Sequence, residues 1–173
     1  MSSETPLQTA INKYHQGDTE DAMTAMQEVL ISEPENPQVR IEFANILMRE
    51  KRFDDARDLL NSLSDNEKNN PEAMALVDQL NSIDAIIDAP DMETLIKLTK
   101  EDPSNCLVRE QLCAHHKLRG DYAAAMDQLL EIVRIDRSYN NDAGRTELLK
   151  LFDLLGQHEL VSEYRRKLAQ ILN

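Results

Sequence analysis

Tryptophan is absent from the sequence, glycine occurs four times, proline six times, and aromatic residues make up only 4% of it. Leu, Ala, Glu, Asp, Gln, Arg and Met dominate instead, and side chains of this kind lose little rotamer freedom in a helix. The balance argues for helix over sheet. Cysteine is limited to Cys106 and Cys113, too few for a disulfide framework. Apolar runs stay well short of the roughly 18–20 residues that span a bilayer. The start, Met1-Ser-Ser-Glu-Thr-Pro6, lacks the basic and apolar regions of a signal peptide. Together these absences point to the cytoplasm.

Positive charge is also scarce. Nineteen Lys and Arg face 32 Asp and Glu, for a net charge of −13 over 173 residues. Such a field repels phosphate backbones and anionic lipid, which argues against nucleic acid or a membrane surface as partner. The imbalance is local: residues 141–173 hold five bases and five acids, so residues 1–140 carry all thirteen excess charges.

Catalytic motifs are missing too. The sequence has no Gly-rich phosphate loop, no Gly-x-Ser-x-Gly elbow and no His-Glu-x-x-His. Acidic pairs such as Asp54-Asp55 fall on turns and helix starts, where carboxylates favour the helix macrodipole. Cys106, Cys113, His115 and His116 lie close enough in sequence to suggest zinc. Zinc sites, however, usually bring ligand pairs two to four residues apart. Cys-x6-Cys along one helix reads as core cysteine, and no Cys-x-x-Cys redox pair is present. No enzyme, metal site or cofactor is expected.

What the sequence does contain is a repeat. Gly17-Asp18-Thr19-Glu20-Asp21-Ala22 recurs as Lys51-Arg52-Phe53-Asp54-Asp55-Ala56, with the alanines 34 residues apart. Gly120-Asp121-Tyr122-Ala123-Ala124-Ala125 matches again, and Ala125 follows Ala56 by 69, one more than two periods. Pro34-Glu35-Asn36 and Asp102-Pro103-Ser104-Asn105 close units on the same beat. On these residues the chain resembles the tetratricopeptide-repeat family, which asks for a small residue early in the second helix of each 34-residue hairpin. A larger side chain there would push the paired helices apart.

The expected fold is therefore all-α, a tetratricopeptide-repeat helical solenoid of about ten antiparallel helices. Four repeats cover residues 1–140 (3–36, 37–71, a divergent 72–105 and 106–140), and residues 141–173 form a terminal capping helical pair. Pro37, Pro71 and Pro103 sit at or just before first turns, where a missing amide donor costs nothing. In unit two, Ile41, Phe43, Ala44, Ile46, Leu47 and Met48 make one apolar face, and Leu59, Leu60 and Leu63 the other. In unit three the small-residue position falls on Asp91, so different packing is expected there. The last pair runs over 141–155 and 159–172 around Gly156, with Leu148, Leu149, Leu151, Phe152 and Leu155 apolar.

In tetratricopeptide arrays the first helices line a concave groove. That register assigns it Leu7, Ile11 and Tyr14 from unit one, Ile41, Asn45 and Met48 from unit two, and Leu76, Leu80 and Ile83 from unit three. An open groove this apolar suits extended or helical apolar segments and leaves self-association open; the alternative is that other parts of the protein fill it. Some family members clamp an acidic Glu-Glu-Val-Asp tail with Lys, Asn and Arg on these faces. Leu7, Ile11 and Glu42 at corresponding positions here cannot grip a carboxylate.

A closer resemblance rests on the carboxyl-terminal stretch. Asp142-Ala143-Gly144-Arg145-Thr146, Leu151-Phe152-Asp153-Leu154-Leu155-Gly156 and Leu160-Val161-Ser162-Glu163-Tyr164-Arg165-Arg166-Lys167-Leu168 resemble the tail of bacterial chaperedoxins of the CnoX type, most closely over residues 105–173. In that family a thioredoxin-like domain precedes the tetratricopeptide domain. The resemblance implies a holdase that keeps unfolding client proteins soluble under oxidative stress and docks on a GroEL-type chaperonin through its last helix. Leu160, Tyr164, Arg165, Arg166 and Leu168 are then the partner-binding residues. The thioredoxin-like domain has no counterpart here, and the sequence from Ser2-Ser3-Glu4 reads as an excised carboxyl-terminal domain. The remaining alternative is a generic tetratricopeptide scaffold that binds one defined peptide or protein in its groove.

Overall fold

The computed structural model describes residues 4–173, and Met1, Ser2 and Ser3, with whatever they say about the start of the domain, lie outside the described residues. Ten α-helices and one short 3-10 turn make up the described chain, in line with the all-α expectation. Contacts divide the chain into two compact units, 1–77 and 78–173.

The first unit holds α1 (Pro6–Gln16), α2 (Thr19–Ser32), α3 (Pro37–Arg49), α4 (Phe53–Asn61), a 3-10 turn (Glu67–Asn69) and the start of α5 (Pro71–Ile86). Within it α1 packs on α2 and α3, α2 on α3, and α3 on α4. Proline opens α1 and α3 at the first turn, and the preceding Thr5 and Asn36 accept backbone N–H bonds from Gln8 and Gln38 at 3.2 and 3.1 Å. Each such cap stabilises its helix by about 1 kcal/mol. Ile41, Phe43, Ala44, Ile46, Leu47 and Met48 are all buried, as are Leu60 and Leu63, whereas Leu59 is half-buried.

The hairpin turns explain the repeated hexapeptides. Gly17 and Gly120 have φ of +92° and +73°, the left-handed conformation that ends a helix and reverses the chain. Lys51 fills the same place with φ +59°. That is strained for a residue with a Cβ, by roughly 1 kcal/mol.

The second unit holds the rest of α5, then α6 (Met92–Glu101), α7 (Cys106–Leu118), α8 (Tyr122–Ile135), α9 (Ala143–Leu155) and α10 (Glu159–Leu172). Here α6 packs on α7, α7 on α8, α8 on α9, and α10 on both α8 and α9. Side chains of Asp91, Asn105, Asp121 and His158 cap four of these helices. Its larger core gathers Cys113, Met126, Leu129, Val133, Leu148, Phe152, Tyr164 and Leu168 among others, and a smaller cluster joins Leu95, Val108 and Leu112.

The divergent unit keeps its packing rule but shifts register. The fourth residue of the second helix is Ala22, Ala56 and Ala125 in α2, α4 and α8, each fully buried, and its counterpart in α6 is Leu95, also fully buried. Asp91, expected at that position, is instead the N-cap of α6, its Oδ1 2.8 Å from the Thr94 amide. The extra length sits before α6, where α5 runs to Ile86 and a five-residue link follows, whereas Gly17 and Asp18 alone join α1 to α2. One inserted residue is thus the balance of a longer first helix and a shorter following segment.

Gly144 explains the Gly-Arg-Thr motif. A Cβ there would lie 2.9 Å from Val133 Cγ2 and 3.1 Å from the Leu129 carbonyl oxygen, so only glycine lets α9 approach α8 this closely. Leu148, Leu151 and Phe152 are buried behind it, Leu155 is half-buried, and Leu149, expected on the apolar face, is 41% exposed.

Candidate protein-binding surface

The last helix spends most of its apolar side on the core. Val161, Tyr164 and Leu168 are buried, Leu160 and Ile171 are half-buried, and Leu172 is exposed. The three buried residues follow i, i+3, i+7 and therefore line one stripe of α10. The Tyr164 hydroxyl donates to Asp127 Oδ1 at 2.7 Å and lies 2.9 Å from the Ala123 carbonyl. Burial, reinforced by the Asp127 carboxylate, pushes this phenol well above its ordinary range. Of the five residues assigned to partner binding, Tyr164 and Leu168 are thus core residues, because they face the interior where α10 packs on α8 and α9. Leu160, Arg165 and Arg166 remain at the surface, and the Arg165 guanidinium sits over the Phe152 ring at 5.5 Å.

The groove assignment divides in the same way. Leu7, Ile11, Tyr14, Asn45 and Ile83 are half-buried, but Ile41, Met48, Leu76 and Leu80 are at most 8% exposed and belong to the core. In the first unit α3 packs chiefly against α4, with α2 and α1 alongside, which takes its side chains out of solvent. Tyr14 reaches α3's end, where its hydroxyl donates to Glu50 Oε1 at 2.7 Å. That hydrogen bond is the main reason its phenol is raised.

A buried ion network in the second unit has no counterpart among the sequence-assigned residues. Lys117 of α7 is only 7% exposed in its side chain, is paired with Asp78 of α5, and lies 3.6 Å from Glu147 of α9. Desolvation works to lower its pKa, yet the two carboxylates, Asp78 above all, outweigh it and raise the ammonium above the usual lysine range. Three first helices are thereby tied through one cation. A lysine four residues after the buried Cys113, on the same helical stripe, is the sequence signal for it.

The cysteines behave as packing residues. Cys113 is buried, and burial pushes its thiol up to about 12; burial likewise raises Cys106. A thiol held that high is protonated at neutral pH and is a poor nucleophile. Among the described residues no group of three or more His, Cys, Asp or Glu is placed to hold a metal ion. None of the described helices is long and apolar enough to cross a membrane.

Two tetratricopeptide-repeat family models match the chain, one over residues 87–173, half of its length, and the other over residues 13–80. The chain belongs to the tetratricopeptide-repeat family. Tetratricopeptide domains mediate protein–protein interaction, and the fold is typically a non-catalytic scaffold. Solved structures similar to this tetratricopeptide chain include a domain of the Vibrio parahaemolyticus protein VP0806, of unknown function, at 21% identity. The likeness covers 99% of this chain and 100% of that one, with a TM-score of 0.43. The thermophilic TPR protein TTC0263 of Thermus thermophilus is 15% identical over 96% of this chain and 97% of its own, with a TM-score of 0.46. MamA is 15% identical over 94% of each chain, with a TM-score of 0.44. No curated protein matches the chain.

Proposed function

We propose that this tetratricopeptide chain is the protein-binding module of a chaperone-associated holdase in the cytoplasm. It holds unfolding client proteins and docks on a GroEL-type chaperonin through α10. The chain works by binding and carries out no catalysis. The reading rests on the CnoX-type resemblance over residues 105–173 and on one observation: Arg165 and Arg166 stand exposed on α10, which also carries exposed Leu172 and half-buried Leu160. A helix that is anchored by one buried stripe and leaves cationic and apolar side chains at the surface is suited to docking on another protein.

The test is co-elution of the purified chain with a GroEL-type chaperonin, together with light scattering of an aggregating client. Co-elution and suppressed aggregation are expected, and the absence of both would remove the holdase reading. The second reading is a scaffold that binds one defined peptide along the half-buried Leu7, Ile11 and Tyr14 of α1. Ile11→Asp then abolishes binding while changes in α10 leave it intact.

A further inference from the structure

An open cleft of about 420 Å³ lies between the carboxyl-terminal ends of α8 and α10, lined by Val133, Arg134, Arg137, Lys167, Gln170 and Ile171. Three of its six lining residues are cations and none is an acid. Over the whole of this unit the balance is the reverse, with 17 acids against 12 bases in residues 78–173. We infer that this cleft is a recognition site for an acidic peptide segment of a partner protein, seated with a carboxylate between Arg134 and Lys167.

The local chemistry fits that occupant. Arg137 donates to the Ile171 carbonyl, which fixes its guanidinium on the cleft wall. Lys167 stacks over the Tyr164 ring with Nζ 4.2 Å from its centroid, and pairs with Glu163 at 2.6 Å. Arg134 is about half exposed and pairs along its own helix with Glu131. Such solvent-exposed pairs are worth about 0–1 kcal/mol, so an incoming carboxylate displaces them at little cost. A planar guanidinium grips a carboxylate bidentately, and the Gln170 side chain offers a neutral amide donor beside it. The excess negative charge of residues 1–140 repels acidic segments from that part of the surface, which favours the cleft as the place where they land. This site stands whether or not the partner is a chaperonin.

A bland explanation exists for the same cations, since positive side chains near helix carboxyl termini complement the macrodipole. It makes a different forecast: the cations then contribute stability and bind nothing. The experiment is fluorescence anisotropy of a labelled oligoglutamate peptide containing one leucine, against the full chain at low and moderate salt. Arg134→Glu and Gln170→Glu place negative charge in the cleft without touching the core, and Lys97→Gln on α6 is the control. Saturable binding is expected, weakened by salt and by about tenfold in each cleft variant, an effect of roughly 1.4 kcal/mol. It should be unchanged in Lys97→Gln. No binding, equal binding by all four proteins, or a chain dimer that Arg134→Glu dissolves would each overturn the assignment.

Discussion

The Lys117 ammonium on α7 is paired with the Asp78 carboxylate on α5 while only 7% of the lysine side chain meets solvent. A buried ion left without its partner is costly, so Lys117→Ala should destabilise the second unit by ~3 kcal/mol. The double change Lys117→Met with Asp78→Leu should restore most of that, because an apolar pair of similar volume replaces both charges. Urea melts of the three proteins decide it.

The same lysine sets a pH dependence. Its pKa in the folded chain lies above the unfolded value of 10.5, so its contribution is fully present below 10.5 and is lost as pH rises through the folded pKa. Stability of the native protein should fall between neutral and strongly alkaline pH by more than that of the Lys117→Met, Asp78→Leu double variant. Equal alkaline losses would remove Lys117 from the account.

At the hairpin turn between α3 and α4, Lys51 holds the left-handed conformation that glycine holds at Gly17 and Gly120. Lys51→Gly should therefore stabilise the first unit by up to ~1 kcal/mol, even though no contact is added. A lower thermal midpoint would contradict the strain argument.

Gly144→Ala should cost ~1–3 kcal/mol, since its Cβ meets a backbone carbonyl at 3.1 Å that cannot step aside. Leu95→Ala should cost ~2–5 kcal/mol through the cavity it leaves, although alanine is what the other units carry at that position. Thermal melts of both variants test whether α8 and α9 meet at Gly144 and whether α6 packs by Leu95.

The repeat was legible because turn chemistry and the small-residue position recur in residues that can be compared by eye: Gly17 with Gly120, and Ala22 with Ala56 and Ala125. Unit three resisted that reading. Its inserted residues lengthen α5 and the link after it, so counting from the preceding alanine lands on the α6 cap, Asp91, instead of on Leu95. Surface assignments were harder still. Periodicity shows which stripe of a helix is apolar, but not how much of that stripe a neighbour covers. Ile41 and Met48 on α3, and Tyr164 and Leu168 on α10, are taken into the interior by the helices that pack on them. Lys117 and the Arg134–Lys167 cleft were hidden for the same reason, since their meaning lies in partners on other helices.

Deleting α10 would unseat Val161, Tyr164 and Leu168 and so confuse binding with folding. The most direct measurement is instead the binding isotherm of Arg165→Glu, Arg166→Glu on an immobilised GroEL-type chaperonin, with its melting temperature recorded alongside. Both arginines are exposed, so the fold should persist. The expected result is saturable binding by the native chain and loss of it in the variant, with the two melting within a few degrees of each other. Unchanged binding by the variant, or none by the native chain, would contradict docking through α10.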